Sequence, residues 1–307
     1  MKVVARKIGK FGIIPFKTKN IESSNDDYDV VLTAHYDTHI ARENYILSFY
    51  SRRFQLNRNI FVKILGTGLI FALMALYMFN LKPVLMNLML IASNLIVIEL
   101  PYGVVNVISA LAVVSTLIIL YPKKPFTADD NTSGVVGLIK LAKMLKENGL
   151  GNRVKIVFTD YEEWGTLGAK SFIKENEDKL KDKIIINFDC IGRGSNIIIT
   201  SPKESELAKK LKEHFESLDH NIKSYPISCS DDKAFQKKGY NAVGLIRADV
   251  DSKGNKNIPW THTAYDTVDN VSPYKISEVI DPVYLFIESY LKEKEHSSMQ
   301  EVAADRE

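Results

Sequence analysis

VKIVFTDYEEWGTLGAKSFIKENE, residues 154–177, decides the fold because it joins a strand, an acidic corner and a helix in one short run. VKIVFT (154–159) reads as a strand bounded by polar residues. Residues 166–177 suit a helix, and Glu162 and Glu163 fall on the corner between the two. The same grammar recurs on either side. VVLTAH (30–35) is a short apolar run rich in β-branched residues, a buried-strand pattern. KIIINF (183–188), NIIITS (196–201) and NAVGLIRA (241–248) read as further strands. Helical spacing marks residues 133–149, which stop at Gly149, then the amphipathic 204–218 and the largely helical 272–295. Residues 1–20 read as a hairpin with Gly12 near its turn, and 296–307 as a polar, frayed tail. Strands alternating with helices predict an α/β fold with a mostly parallel central sheet flanked by helices.

Bulk properties exclude several functions. The net charge is +3, and the basic residues are scattered, so no nucleic-acid partner is expected. Cys190 and Cys229 make neither a disulfide framework nor a zinc-finger spacing, and read as two reduced thiols. The first twenty residues lack the apolar core of a cleavable secretion signal.

One segment stands apart. Between Ile64 and Pro122 only Lys82 and Glu99 are charged. Residues 64–81 and 102–121 are long enough to span a bilayer, while 84–98 is short for a span. Pro83 and Pro101 separate the three pieces. The polar stretch before them, with Arg42, Arg52, Arg53 and Arg58, reads either as a segment at a membrane surface or as a plain solvated helix.

Acids and imidazoles gather where the predicted strands end. His35 and Asp37 follow VVLTA; Asp129, Asp130 and Asn131 open the helix at 133; Glu162 and Glu163 follow VKIVFT. Asp189 follows KIIINF, and His262 sits in the loop WTHTAYDTVDN. Ligands bind at the carboxyl ends of strands in open α/β sheets, so separate loops can bring these groups together. Crowded carboxylates repel one another, and a divalent cation resolves the conflict. Mixed imidazole and carboxylate donors suit Zn2+, with Co2+ or Mn2+ as substitutes. Taken singly each motif is weak, since an Asp-Asp-Asn before a helix is more often an N-cap. His35 and His39 have the i, i+4 spacing of a zincin helix, but no glutamate follows His35 and the segment reads as a strand end. Residues 192–194 are a turn, not a phosphate loop. His214, His220 and His296 read as surface residues, and Tyr225 and Tyr265 as packing residues in preference to substrate contacts.

Together, AHYDT (34–38), TADDNTSG (127–134), FTDYEEWGTLGAKSF (158–172), INFDCIG (186–192), SDDKAFQKKGYNAVGL (230–245) and THTAYDTVDNV (261–271) resemble the M28 family of zinc exopeptidases. The resemblance covers about residues 1–40 and 125–295, which would form the catalytic domain. It implies a zinc-exopeptidase (phosphorylase/hydrolase-like) fold and two zinc ions. By this resemblance His35 and Asp189 would hold the first ion, Glu163 and His262 the second, and Asp130 would bridge them. Asp37 would fix the His35 ring, and Glu162 would be the general base that deprotonates the attacking water. Ser230, Asp231, Asp232 and Lys233 would border the site. The implied activity is metal-dependent hydrolysis of peptide bonds, with release of N-terminal amino acids. A carboxypeptidase or amidohydrolase of the same fold, or an inactive membrane scaffold, are the alternatives.

The chain departs from the family's soluble members in the long separation between His35 and Asp130. Residues 41–124 are expected to be an inserted helical membrane hairpin in contact with the lipid bilayer through 64–121. Both flanks must reach one site, so the number of crossings would be even. The flanking basic residues would place the catalytic domain of this multi-pass protein toward the cytoplasm.

Overall fold

The computed structural model describes residues 1–11, 14–38, 127–202, 205–225, 230–263 and 265–304. The chain divides into two compact units, Met1–Ala41 with Pro125–Glu307, and Arg42–Lys124. The described elements belong to the first. Its strands are β1 (Lys2–Phe11), β2 (Ile14–Glu22), β3 (Val30–His35), β4 (Val154–Thr159), β5 (Ile184–Phe188), β6 (Asn196–Thr200), β7 (Ile222–Tyr225), β8 (Asn241–Val250) and the two-residue β9 (Lys256–Asn257). They lie in the order β1-β2-β4-β3-β5-β8-β6-β7, with β9 paired to β8. The helices are α1 (Gly134–Glu147), α2 (Leu167–Asn176), α3 (Glu206–Ser217), the single turn α4 (Asp232–Gln236) and α5 (Pro273–Ala304).

The central strands β3, β4 and β5 are mostly apolar and buried at every position, because both faces of the sheet are covered. Side chains alternate along β3, so Val30, Leu32 and Ala34 enter one core while Val31 enters the other. The first core is completed by Leu138, Leu141 and Leu145 of α1, Leu211 and Phe215 of α3, and Val279, Val283 and Ile287 of α5. The second is built on Phe172 and Ile173 of α2 and Phe235 of α4. Gly137 lets α1 approach closely: a Cβ there would stand 2.7 Å from Ile191 and 3.0 Å from Ile280. Past α1 the chain turns at Gly149 with φ +75°, a conformation that glycine adopts without a Cβ clash.

Three expectations need correction. The sheet is mixed, not mostly parallel. β3 runs parallel to β4 and β5, β5 to β8, and β6 to β7; β1/β2, β2/β4, β6/β8 and β8/β9 are antiparallel. A strand buried on both faces is apolar whichever way it runs, so its composition carries no direction. The polar tail is helical through Ala304, as a continuation of α5. The membrane localisation also does not stand: among the described residues no helix is long and apolar enough to cross a membrane. α5 has the length, but Lys275, Glu278, Asp281 and Glu288 give it a charged side opposite its buried one. The expected spans 64–81 and 102–121 and the piece 84–98 lie outside the described residues. The bilayer partner and the cytoplasm-facing orientation derived from those spans find no support in the structure.

Candidate metal centre

The parallel register of β3 with β4 and β5 brings three strand ends to one edge. His35 pairs in register with Thr159, and Thr33 with Asn187. Asp189 follows β5 directly, and Tyr161, Glu162 and Glu163 follow β4 through Asp160. Asn131 ties this edge together. Its amide donates to the Phe188 carbonyl at 2.9 Å and the His35 carbonyl at 3.4 Å. Its Oδ1 accepts from the backbone N–H groups of Gly134 and Cys190, each at 3.1 Å.

The seven residues singled out in the sequence lie together. His35 Nε2 stands 3.2 Å from Asp130 Oδ1 and 3.6 Å from Asp189 Oδ1. His262 Nε2 stands 2.9 Å from Asp130 Oδ2 and 3.2 Å from Glu163 Oε1. Two triads result, His35–Asp130–Asp189 and Asp130–Glu163–His262, and they share the two oxygens of Asp130. Asp37 serves both. Its carbonyl meets His35 Nδ1 at 3.2 Å with its Oδ1 at 3.4 Å, and its carboxylate accepts from the backbone N–H groups of Glu162 at 2.9 Å and Glu163 at 3.2 Å. Asp37 therefore fixes the corner carrying the two glutamates as well as the imidazole.

The donor set fits a dication. His35 Nε2, Glu163 Oε1 and Asp189 Oδ1 are buried, yet none makes a hydrogen bond among the described residues. Buried polar atoms ordinarily find hydrogen-bond partners; these three instead face the other donors of the two triads, the arrangement a bound cation would satisfy. The electrostatics agree. Burial lowers the His35 pKa, but Asp189, Asp130 and Asp37 outweigh it and raise it well above its ordinary value. Burial likewise opposes the His262 imidazolium, and Asp130 and Glu163 raise it to about 10. Burial raises the Asp130 carboxyl, but His262 and His35 bring it below the usual carboxylate range. Glu162 is pushed up to about 10 by burial, then by Asp231, Asp189 and Glu163, against the lowering effect of His35.

Backbone strain gathers at the same place. Tyr161, Cys190, Trp260 and His262 are non-glycine residues with φ of 54°, 52°, 60° and 62°, and each is a candidate ligand or lies within two residues of one. Such conformations persist only where surrounding structure enforces them.

Asp266 and Arg193 escaped the sequence, whereas Asp231 was expected to border the site. Asp231, fully buried, accepts a hydrogen bond from Thr159 Oγ1, and burial pushes its carboxyl up to about 7. Asp266, 1% exposed, accepts from the backbone N–H of Asp129 at 2.7 Å and of Asp130 at 3.1 Å. Arg193, in the segment expected to be only a turn, donates to Asp266 Oδ1 at 2.6 Å. The one available signal was position: Asp266 lies inside THTAYDTVDNV, and Arg193 directly follows INFDCIG. Tyr265 is exposed, and Trp260 packs beside it with ring centroids 6.3 Å apart. His214 is not a plain surface residue: its Nε2 lies 3.0 Å from the Pro282 carbonyl of α5.

The model of peptidase family M28 matches residues 115–287, more than half of the chain. Leucine aminopeptidase 2 of Trichophyton rubrum is 32% identical over 134 residues, covering 38% of this chain and 27% of that protein. The match thus spans about a quarter of that relative's length. The structure of BSAP, a zinc aminopeptidase from Bacillus subtilis, superposes with a TM-score of 0.56 at 15% identity, covering 91% of this chain and 51% of that one. Porphyromonas gingivalis glutaminyl cyclase superposes with a TM-score of 0.57 at 14% identity, covering 94% and 83%. At such identities these two structures speak for the fold alone.

Proposed function

From the premise that this chain belongs to peptidase family M28, we propose that it is a zinc exopeptidase that releases N-terminal residues from peptides with two metal ions. The observation that carries this reading is the pair of donor triads sharing Asp130. His35 and Asp189 would hold one ion, Glu163 and His262 the other, and Asp130 would contribute one oxygen to each. A pair of zinc ions there supplies Lewis acidity toward a water and toward the scissile carbonyl. The name of the relative from Trichophyton rubrum favours aminopeptidase action over carboxypeptidase or amidohydrolase action.

Glu162 is the proposed general base. Its neighbour Glu163 faces His262 and Asp130, whereas Glu162 has no place in either triad. One acid is thus committed to the metal while the adjacent one is left to accept a proton from water and deliver it to the leaving amine. Cations on the neighbouring donors would lower its pKa from the value of about 10 that burial and the surrounding acids set, because positive charge favours the carboxylate. Asp37 holds the backbone of both glutamates, which keeps Glu162 aimed while Glu163 is bound.

The test pairs zinc content with hydrolysis of aminoacyl-arylamides. Glu162→Gln should keep its zinc and lose about 10²- to 10⁴-fold in kcat, the usual worth of a general base. Wild-type protein that takes up no zinc, or a Glu162→Gln variant as active as wild type, refutes the proposal. A panel of peptides with free and blocked amino termini, one beginning with glutamine, tells aminopeptidase action from carboxypeptidase, amidohydrolase and cyclase chemistry.

A further inference from the structure

We infer that Asp266, clamped by Arg193, is a positioning residue that sets the distance between the two halves of the metal centre; this rests on the metal reading above. Two consecutive backbone N–H groups, those of Asp129 and Asp130, point at one carboxylate, Asp266, at 2.7 and 3.1 Å. Asp266 lies four residues after His262 on the same loop, and its own carbonyl accepts from Ala128 N at 3.2 Å. The loop bearing His262 is therefore bolted to the backbone of Asp130, the residue that His262 meets at 2.9 Å.

Arg193 brings in the third segment. It lies four residues after Asp189, and its Nη2 donates to Asp266 Oδ1 at 2.6 Å while Nη1 donates to the Pro259 carbonyl at 3.3 Å. Its guanidinium also stands 5.3 Å from the ring centre of Trp260. The neighbouring Gly192 N–H donates to Asp129 Oδ1 at 2.7 Å. Segments carrying Asp130, Asp189 and His262 thus meet at one buried cluster of two acids and one guanidinium. No side chain of that cluster belongs to either triad. The cluster holds one more negative than positive charge when ionised, and it lies directly behind Asp130, where it favours cations at the donor atoms.

A purely structural ion pair would stabilise the loops without tuning the metal, so the experiment reads both. Zinc affinity of the full chain is measured by competition with a chromogenic chelator, alongside kcat, KM and the urea midpoint of the metal-free protein. Asp266→Asn keeps the shape but presents an amide where two N–H donors need an acceptor pair. It should bind zinc about 10- to 100-fold more weakly, the usual cost of losing a ligand's supporting partner. At saturating zinc its kcat should fall while KM stays within about twofold, a positioning signature. Arg193→Lys keeps the charge but loses the planar fork, and should shift zinc affinity the same way by less. If Asp266→Asn does not fold, Arg193→Lys is read by the same criterion. A lowered urea midpoint with wild-type zinc affinity and kcat overturns the inference. Wild-type protein that binds no zinc overturns the metal reading instead, and the two failures are told apart because the second appears without any substitution.

Discussion

Replacing Gly168 by alanine tests whether the corner bearing the two glutamates is held by backbone packing. An added Cβ would stand 2.5 Å from Asp160 N and 2.7 Å from Asn20 Oδ1, and closer still to Asp160 O. Ordinary carbon contacts begin near ~3.5 Å, so the clash amounts to about 1 Å, against backbone on its nearest side. The chain there has little room to give. Gly168 N donates to Asp160 O at 2.8 Å, Leu167 N to Tyr161 O at 3.0 Å, and Gly165 N and Thr166 N both to Glu162 O at 2.8 Å. Relief therefore moves α2, the Tyr161–Glu162 backbone, or both. Glycine to alanine inside a helix normally gains up to about 1 kcal/mol. Overpacking costs about 1–3 kcal/mol, here at the upper end, which leaves a net loss of about 1–2 kcal/mol. A misplacement on the order of 1 Å near the reacting atoms costs up to about 10²-fold in rate. Urea unfolding and hydrolysis of an aminoacyl-arylamide should thus show a lower midpoint and a kcat reduced about 10- to 100-fold, with zinc retained. A variant more stable than wild type and fully active would falsify the reasoning, since helix propensity would then outweigh the clash.

The remaining predictions concern buried polar groups. Arg6 reaches across the β1–β2 hairpin to Glu22, and donates to Glu175 on α2 at 2.5 Å. Arg6→Ala leaves Glu22, 3% exposed, without its partner and should cost about 3–5 kcal/mol in urea unfolding. Replacing Arg6 and Glu22 together by methionine should recover most of that loss, and no recovery would show that the pair is not what matters. Tyr28 is 2% exposed, and its hydroxyl has no hydrogen-bond partner among the described residues. Tyr28→Phe should raise stability near pH 7 by about 1 kcal/mol, since an unpaired hydroxyl is removed from the core. The same tyrosine supplies a pH test. Burial first, then Glu22 and Asp26, pushes its pKa up from 10.0 to about 12, so folding favours the neutral ring. Its contribution is complete below pH 10 and is lost as pH rises through 12. Over that window the urea midpoint of wild type should fall more steeply than that of Tyr28→Phe, and parallel curves would contradict the assignment.

What could be read from the chain, and what could not, divides on physical grounds. His35, Glu162, Glu163 and Asp189 were visible because each breaks the polarity of an apolar run at the point where it ends, and burial on both faces makes such runs plain. His262 has no such strand before it and was marked by its motif alone. Strand direction was not visible, because β6 and β8 are equally apolar and pair antiparallel. β7, IKSY, leaves no run to read because it holds one buried residue, Ile222, followed by half-buried and exposed ones. The deeper gap concerns Asn131, Arg193 and Asp266. Each acts by bonding to main-chain groups far along the sequence: Asn131 to Phe188, Arg193 to Pro259, Asp266 to Asp129 and Asp130. A side chain chosen to meet a distant peptide group leaves no periodicity and no charge pattern near itself. Residues that could hold a metal repeat one chemistry and so announce themselves as a set. Residues that hold the holders are chemically diverse, and only the folded chain brings them together.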